Sequence, residues 1–356
     1  MPQHPTPALL SDAPVRVEAA RVLFAGPSIR RRGFPSIVRL PSGRLLLAFM
    51  MGTGPESRDD AAIMLSHSDD DGVTWDEPFP LFASPGWNSL PMGGLAHLGG
   101  DRLRLIVGRI KVDPSLPGDE PITDWFTGAM DSDDGGRSWS EVGEEIRLFP
   151  CWTEMYGASN PHRLSDGRLL WAVIGTVGRD VEWRSGVTLT GPGGRDFSPV
   201  VVIGASPDRN FADTDLVRLP DGRFLAVMRE MVTRQAHQSL SSDEGATWTP
   251  VRPTGFAGSN IKLFRLRSGA VGCLYRDEDP ARRGVSLSIT DDGGAAWRFA
   301  GQLYAAGPDA RHVPGSVCGY PDVADLGDGR LAAVLHTYPD SEGRLDLQFL
   351  ALRDVS

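Results

Sequence analysis

The ten residues LPDGRFLAVM, which begin at Leu219, contain the pattern that decides the fold of this 356-residue chain. A turn with Asp-Gly separates a leucine from a run of strand-forming apolar residues, which is typical of a β-hairpin. The pattern recurs every 47 to 66 residues as Leu, two residues, Gly or Asp, usually Arg, and an apolar run. Its copies are LPSGRLLLAF from Leu40, LGGDRLRLIV from Leu98, LSDGRLLWAV from Leu164, LPDGRFLAVM from Leu219, LRSGAVGCLY from Leu266 and LGDGRLAAVL from Leu326.

These six hairpins predict an all-β chain, folded as a six-bladed β-propeller of four-stranded antiparallel blades. No convincing amphipathic helix lies between the copies. Because each blade adds its own core, we expect a single domain over residues 1–356, although most single domains are shorter. The early strand VRVEAARVLFA, around Val15 to Ala25, is expected to complete the last blade beside LDLQFLALRD, so that no sheet edge stays open.

A second phrase, Ser/Thr-x-Asp-x-Gly-x-Ser/Thr-Trp, follows most of the hairpins. Its Asp can accept hydrogen bonds from backbone N–H groups, its Gly permits a left-handed turn, and its Trp can pack between blades. We therefore predict that these aspartates stabilise turns and perform no chemistry. The aspartates are Asp70 in SDDDGVTW, Asp134 in SDDGGRSW, Asp243 in SDEGATWT and Asp292 in the weaker copy TDDGGAAW.

Charge and composition exclude several classes of partner. The formal net charge is −10, and the longest basic run is Arg30, Arg31 and Arg32, so we expect no nucleic-acid partner. The chain begins without a continuous apolar segment and has no apolar run of membrane-spanning length, which predicts a cytoplasmic protein with no membrane partner. The spacing of Cys and His and the lack of a Gly-rich phosphate loop predict no metal and no other cofactor.

The inner strand of each blade should line the propeller axis, where ligands bind at one mouth. Counting back six and four residues from each repeated leucine selects side chains that should share one face of that strand. All the charged groups fall in the last three blades, which suggests a binding site, although a polar, water-filled channel is the alternative. The pairs are Phe34 and Ser36, Met92 and Gly94, Ala158 and Asn160, Asp213 and Asp215, Asn260 and Lys262, and Tyr320 and Asp322.

Cationic residues gather in the same half of the ring. The residue ten positions after the repeated leucine should end the second strand of each blade. In the last three blades it is Arg229, Arg276 and His336, whereas the first three blades have uncharged residues there. Converging arginines indicate recognition of a carboxylate or another anion. The alternative is that each arginine pairs with an acid of the next blade.

The Asp-containing turns and the hairpin spacing resemble those of the sialidase (neuraminidase) superfamily, whose members carry Asp-box, or BNR, repeats. The likeness covers essentially the whole chain. It is more specific for the fold than for the activity, because this fold also hosts other glycosidases, lyases and binding proteins. The resemblance implies a Tyr nucleophile activated by a Glu, an Asp acid/base and three arginines that hold the carboxylate of the substrate.

Several positions match these roles. The resemblance implies that Tyr320, in GYPDVADLGDG, is the nucleophile, and that Asp213, in ADTDLVRLPDGRFLAVMRE, replaces its partner Glu. Arg229, which follows in the next strand, matches a carboxylate-binding arginine. In ARRGVSLSIT another arginine is expected, with Arg282 preferred over Arg283.

The acid/base and the remaining binding residues match single positions of the family pattern less well. The loop ESRDDAAIML offers Asp60 as the acid/base, preferred over Asp59, with Arg58 beside it as a substrate-binding residue. The other substrate-binding candidates are Arg276, His336, Asp322 and Lys262.

Two departures from the family pattern occur together. Sialidases begin with a Phe/Tyr-Arg-Ile-Pro motif, but RRGFPSIV has Gly33 where that arginine is expected. The Glu that supports this arginine in the family falls at His336 or Thr337. The paired loss predicts a remodelled site, and Arg31 or Arg32 remains open as a substitute.

Three functions therefore remain open. The first is a sialidase-like exo-glycoside hydrolase that acts on an acidic glycan, with Tyr320, Asp213 and Asp60 as its catalytic residues. The second is a lyase on uronic-acid polysaccharides with Tyr320 and His336 as acid and base. The third is a glycan-binding propeller without catalysis.

Overall fold

The structure is a computed structural model, and it describes residues 7–25, 31–53, 60–91, 94–113, 115, 122–148, 154–157, 160–176, 183–204, 209–307, 318–338 and 344–356. Its regular structure is β-strand except for a short 3₁₀ helix at Pro280–Arg282. Within the described ranges, no helix is long and apolar enough to cross a membrane. The strands are β1 (Ala8–Leu9), β2 (Val15–Leu23), β3 (Arg31–Arg39), β4 (Leu45–Gly52), β5 (Ala62–Ser68), β6 (Phe79–Phe82), β7 (Asn88–Leu90), β8 (Leu95–Gly99), β9 (Arg102–Val112), β10 (Ile122–Ser132), β11 (Glu154–Gly157), β12 (His162–Arg163), β13 (Leu169–Thr176), β14 (Trp183–Thr190), β15 (Val201–Ile203), β16 (Phe211–Arg218), β17 (Phe224–Glu230), β18 (Gln235–Ser241), β19 (Arg252–Arg265), β20 (Val271–Asp277), β21 (Gly284–Thr290), β22 (Arg298–Ala305), β23 (Gly319–Gly327), β24 (Arg330–His336) and β25 (Leu347–Asp354).

The all-β prediction is confirmed, and the antiparallel sheets form a propeller-like arrangement. The described strands form five hydrogen-bonded sheets instead of six separate blades. The difference arises at β19, which is 14 residues long. Its first part pairs with β18 and its second part pairs with β20, so the groups β16–β19 and β19–β22 share this strand and form one sheet. Strand β1 pairs with β22 and is the eighth strand of that sheet. The other sheets are β3–β6, β7–β10, β11–β15 and β23–β25 with β2.

The two ends of the chain meet in one sheet. Strand β2 pairs antiparallel with β25, from Val15 opposite Asp354 to Leu23 opposite Leu347. On its other side β25 pairs with β24 of the hairpin β23–β24, which carries the last copy of the repeat. The N-terminal strand is therefore the outer strand of the sheet that holds the C-terminal hairpin, and each end is held by backbone hydrogen bonds.

The repeated leucine closes its hairpin and also enters the core. In four copies its backbone N–H donates to the carbonyl of the residue four positions later, as Leu219 does to Arg223 at 2.8 Å. The third residue of the turn is a glycine with positive φ, for example Gly222 at 92°, a conformation that costs glycine little. All six leucines are at most 4% exposed. The six are Leu40, Leu98, Leu164, Leu219, Leu266 and Leu326.

The aspartates of the second phrase bind their own turns. The Asp134 carboxylate accepts the Ser138 hydroxyl at 2.6 Å and the Ser138 backbone N–H at 2.9 Å. The Trp139 indole N–H donates to the Gly136 carbonyl at 3.1 Å. These bonds from Ser138, aided by one from Ser132, lower the pKa of Asp134 to about 2.

We expect Asp134→Ala to reduce the free energy of unfolding by about 1 kcal/mol at pH 7, as removal of a capping side chain does. The folded-state pKa lies below the unfolded value of about 4, so the stabilisation is complete above that pH and is lost as the pH falls towards 2. Urea unfolding of wild type and variant between pH 7 and pH 2 measures the difference. Asp133→Ala, at the exposed neighbour, is the control and should show no such trend.

Side chains four positions before the repeated leucine form a buried ring around the axis. The Asp322 carboxylate accepts the Ile37 backbone N–H at 2.8 Å, and the Asp215 carboxylate accepts that of Leu263 at 2.7 Å. Each bond links an inner strand to the inner strand of the next group. Lys262 lies 2.8 Å from Asp322 and 3.9 Å from Asp215, so the ammonium group joins the two carboxylates.

We expect Lys262→Met to reduce the free energy of unfolding by about 3 kcal/mol, because it leaves two buried carboxylates without their cation. Burial already raises the pKa of Asp215 against the opposing charge of Lys262. Lys111→Met is the matched control, because Lys111 is 39% exposed and lies 4.0 Å from Asp124, and it should cost less than about 1 kcal/mol. Equal melting temperatures of the two variants would refute the structural role of Lys262.

Candidate functional site

Four of the inner strands share a one-residue β-bulge near the start of their repeat. In β3, β16, β19 and β23 the bulge falls between the residues seven and four positions before the repeated leucine. The residue six positions before that leucine has a left-handed backbone in all four strands. These residues are Phe34 (φ 50°), Asp213 (51°), Asn260 (51°) and Tyr320 (45°).

This bulge changes the expected geometry of the axis. Plain alternation would put positions −6 and −4 on one strand face, but the extra residue separates them into two levels. Position −4 belongs to the buried ring, and position −6 carries Asp213 and Tyr320. Left-handed backbone costs non-glycine residues about 1–3 kcal/mol and often occurs at functional sites. Positions 92 and 158 lie outside the described residues.

Asp213 is held in a fixed position by two neighbours. Its Oδ2 lies 3.0 Å from the Nε of Arg229 and accepts the backbone N–H of Asn260 at 2.9 Å. Both side chains of the ion pair are 11% exposed. Arg229, near the end of β17, therefore meets Asp213, near the start of β16, because the register places Arg229 opposite Ala212. The predicted alternative of an inter-blade pair is wrong for Arg229, because its partner lies in its own sheet.

Arg276 is a second buried cation beside Tyr320. Its Nε and Nη2 each lie 3.1 Å from the Glu278 carboxylate, which also accepts the Ser259 hydroxyl. Burial lowers the pKa of Arg276, but Glu278, Tyr320 and Asp213 outweigh this effect and raise it. Its Nη1 is buried and has no hydrogen-bond partner among the described residues. Arg276 therefore retains one unused donor next to the predicted nucleophile.

Tyr320 lies in a cluster of three rings. Its ring centroid is 4.4 Å from that of Phe34 and 5.4 Å from that of His336. The backbone N–H of Phe34 donates to Nδ1 of His336 at 3.2 Å, so a neutral His336 carries its proton on Nε2. His336 is 2% exposed and packs behind the partly exposed Tyr320.

His336 also explains the glycine at position 33. A Cβ atom added to Gly33 would lie 2.8 Å from Nδ1 of His336 and 3.5 Å from the methyl group of Met50. The imidazole therefore fills the space that any side chain at position 33 would need. The two departures from the family pattern are therefore physically linked, because the imidazole of His336 occupies the space that a longer residue at position 33 would need.

The two arginines before Gly33 bind acids elsewhere. Arg31 lies 2.5 Å from Asp60, whose second oxygen accepts the Thr53 hydroxyl at 3.0 Å. Arg32 lies 2.7 Å from Asp346 and is 1% exposed. Arg31 thus holds the predicted acid/base Asp60 at the end of the first sheet that also carries Phe34.

Three of the predicted substrate-binding residues bind local charged groups in the structure. Arg282 is bonded to Asp277 and Asp279 at 3.0 Å each, and it lies 4.9 Å from the Phe299 ring on the outer strand β22. Lys262 and Asp322 bind each other in the buried axial ring, so both belong to the scaffold. The repeat alone does not reveal these ion pairs.

Two further observations complete the site. Arg283, the alternative to Arg282 as a substrate-binding arginine, lies 4.9 Å from the ring of Tyr338. The charge of Arg276 also acts on that phenol. Arg58 lies outside the described residues. In the part of the chain that the structure describes, no group of three or more His, Cys, Asp or Glu side chains could hold a metal ion.

Sequence reasoning missed Arg234 and Glu278. Arg234 follows β17 and has a left-handed backbone with φ 61°. Glu278 immediately follows β20 and holds Arg276. A signal existed for Glu278, since it stands two residues after Arg276 in the run RDED. Arg234 gave none, because a turn residue is not fixed by the strand pattern.

Comparison with known proteins identifies the family. The BNR repeat-like domain matches residues 95–333. The chain belongs to this family. The BNR repeat-like match includes Asp213, Arg229, Arg276 and Tyr320, whereas Gly33 and Asp60 precede it. No curated protein sequence matches the chain.

Solved structures share the fold of this BNR repeat-like chain. A Dyadobacter fermentans protein of unknown function is 18% identical, with TM-score 0.78 and coverage of 96% of this chain and 99% of that chain. NanB sialidase from Streptococcus pneumoniae is 14% identical, with TM-score 0.67 and coverage of 95% and 70%. A GH93 α-L-arabinofuranosidase of Fusarium graminearum is 12% identical, with TM-score 0.66 and coverage of 96% and 98%. At these identities the likeness shows the fold alone.

The contact between His336 and Gly33 predicts a coupled effect on stability. Gly33→Ala should reduce the free energy of unfolding by about 1–3 kcal/mol, because the new methyl group overlaps the imidazole. In a His336→Ala background the same change should cost less than about 1 kcal/mol. Thermal unfolding of the four proteins measures the coupling. Gly191→Ala is the control, since nothing lies within 4 Å of its added Cβ, and equal costs in both backgrounds would refute the overlap.

Proposed function

We propose that this chain is a six-bladed glycoside hydrolase that removes a carboxylate-bearing sugar from a glycan, with Tyr320 as its nucleophile. The observation that carries the proposal is a partly exposed phenol beside the buried, acid-bound Arg276, on which the charge of Asp213 from the Asp213–Arg229 pair also acts. The merged eight-stranded sheet counts as two blades in this reading, because each half carries its own copy of the repeat.

The proposed reaction has two displacement steps. The Tyr320 oxygen attacks the anomeric carbon and transfers its proton to Asp213, while the bond to the leaving oxygen breaks and Asp60 protonates that oxygen. Water then attacks the anomeric carbon and transfers a proton to Asp60. The bond to Tyr320 breaks, and the phenol recovers its proton from Asp213. The net reaction is hydrolysis.

A phenol suits a negatively charged sugar. An anionic nucleophile would be repelled by a carboxylate beside the reacting carbon, whereas a neutral phenol is not. A free phenol has a pKa of about 10 and is a weak nucleophile, so it needs a base. Asp213 supplies that base in our proposal, held by Arg229 and by the Asn260 backbone N–H.

The arginines support a carboxylate-bearing substrate. Arg276 has an unused Nη1 donor for an anion. Arg229 is only 9% exposed, so its guanidinium loses little contact with water when an anion binds beside it. The position of the third family arginine is filled by His336 against Gly33. We therefore propose that the carboxylate is bound from the β17 and β20 side, and that the sugar differs from sialic acid.

A uronic-acid lyase is the second candidate, favoured by the 5.4 Å separation between the rings of Tyr320 and His336. A neutral imidazole beside a phenol is a suitable base and acid for removal of a proton next to a carboxylate. The two reactions differ in their products. Hydrolysis gives a saturated reducing sugar, whereas elimination gives an unsaturated uronate that absorbs in the ultraviolet.

The proposal predicts the effect of removing the phenol oxygen. Tyr320→Phe should lower kcat on an acidic aryl glycoside by about 10³-fold, and Asp213→Asn by about 10²-fold or more. The measurement is release of 4-methylumbelliferone from glycosides of N-acetylneuraminic, glucuronic and galacturonic acids, with the neutral arabinofuranoside alongside.

Tyr275→Phe is the matched control, because its hydroxyl is buried against that of Ser288 at 3.0 Å and it should keep normal kcat. Full activity of Tyr320→Phe on an acidic glycoside would contradict the hydrolase mechanism. Unsaturated product, detected by its absorbance, would contradict it in favour of the lyase.

A further inference from the structure

A cavity of about 550 Å³ opens between β18–β19 and β20–β22, next to the candidate site. Its volume lies within the range of small-ligand sites, about 300–1,000 Å³. Phe256, Trp297 and Phe299 give it an aromatic lining, and Arg234 and Glu278 are its charged residues nearest the site. Since Glu278 also holds Arg276, the cavity and the site share a wall.

Arg234 is the unbalanced charge in this cavity. Among the described residues, no carboxylate forms an ion pair with its guanidinium. The other charged groups are compensated, because Glu278 binds Arg276, and Arg282 binds both Asp277 and Asp279. A half-buried guanidinium without a counterion is uncommon beside an aromatic surface, since burial of an unpaired charge is costly.

The backbone around Arg234 is held firmly. Its N–H donates to the Glu230 carbonyl, and its own carbonyl accepts the Gly258 N–H, both at 3.0 Å. The Glu230 carboxylate also accepts the backbone N–H of Thr233 at 2.6 Å, which closes the turn. The guanidinium is therefore carried by a preformed turn, so little backbone entropy is lost when it binds an anion.

We propose that this cavity is a second anion subsite, which binds the carboxylate or sulfate group of the sugar adjoining the one that is cleaved. Arg234 binds the anionic group, and the aromatic side chains pack against the sugar ring. The proposal rests on the proposed function, because it treats the cavity as continuous with the Asp213–Arg229 pair. The charges of Arg229, Glu278, Arg276 and Asp213 all act on Arg234, which supports this continuity.

Calorimetric titration of the full chain tests the subsite without turnover. The probes are digalacturonate, a sulfated uronate disaccharide, inorganic sulfate and the neutral disaccharide lactose, and a probe that is hydrolysed is titrated into Tyr320→Phe instead. We expect the acidic disaccharides to bind, and Arg234→Ala to raise their Kd about tenfold or more. Inorganic sulfate should bind more weakly than both disaccharides, because it lacks the ring that contacts the aromatic residues.

The location is tested by the fluorescence of Trp297, which should change with the same Kd and lose that change in Trp297→Phe. Arg298→Ala is the matched control, because Arg298 is 41% exposed and lies 3.7 Å from Asp291, and it should leave the Kd unchanged. Equal Kd for wild type and Arg234→Ala, binding of lactose as tight as that of the acids, or no binding of any acid would overturn the subsite.

Failure of the subsite and failure of the proposed function give different results. If no glycoside is hydrolysed but the acidic disaccharides bind through Arg234, the hydrolase proposal fails and the anion subsite stands. If hydrolysis depends on Tyr320 but Arg234→Ala keeps wild-type Kd, the subsite fails and the hydrolase proposal stands.

Discussion

The structure depends on one hydrogen bond that recurs between successive inner strands. A side chain four residues before the repeated leucine accepts a backbone N–H of the next inner strand, as Asp322 does from Ile37 and Asp215 from Leu263. Without it, buried N–H groups near the axis would lack partners, at a cost of about 1–3 kcal/mol each. The ammonium group of Lys262 compensates the charges of Asp215 and Asp322, the two carboxylates in this buried ring.

The candidate site follows from the bulge just before this bond. A one-residue insertion in four of the inner strands gives position −6 a left-handed backbone, which places Asp213 and Tyr320 outside the buried ring. Strand register then brings the end of the second strand beside it, so Arg229 meets Asp213. Local backbone conformation, register and charge thus act together, and the charged residues at these positions lie in the last three inner strands.

The repeat made the all-β fold and the alignment of Asp213, Arg229, Arg276 and Tyr320 predictable, because strand period and turn residues are local properties. The fit of His336 against Gly33 was not predictable. The sequence showed only that the family arginine and its supporting Glu are both replaced. The ion pairs of Arg282 with Asp277 and Asp279 were not predictable either, because the repeat does not specify which acid an arginine meets after folding.

The most direct test is to trap the glycosyl group on Tyr320. The protein is incubated with a fluorinated acidic glycosyl fluoride, digested, and analysed by mass spectrometry. The account predicts a peptide containing Tyr320 whose mass is increased by that of the sugar, and no such adduct in Tyr320→Phe. An adduct on another residue, or turnover of the substrate without any adduct on Tyr320, would contradict it.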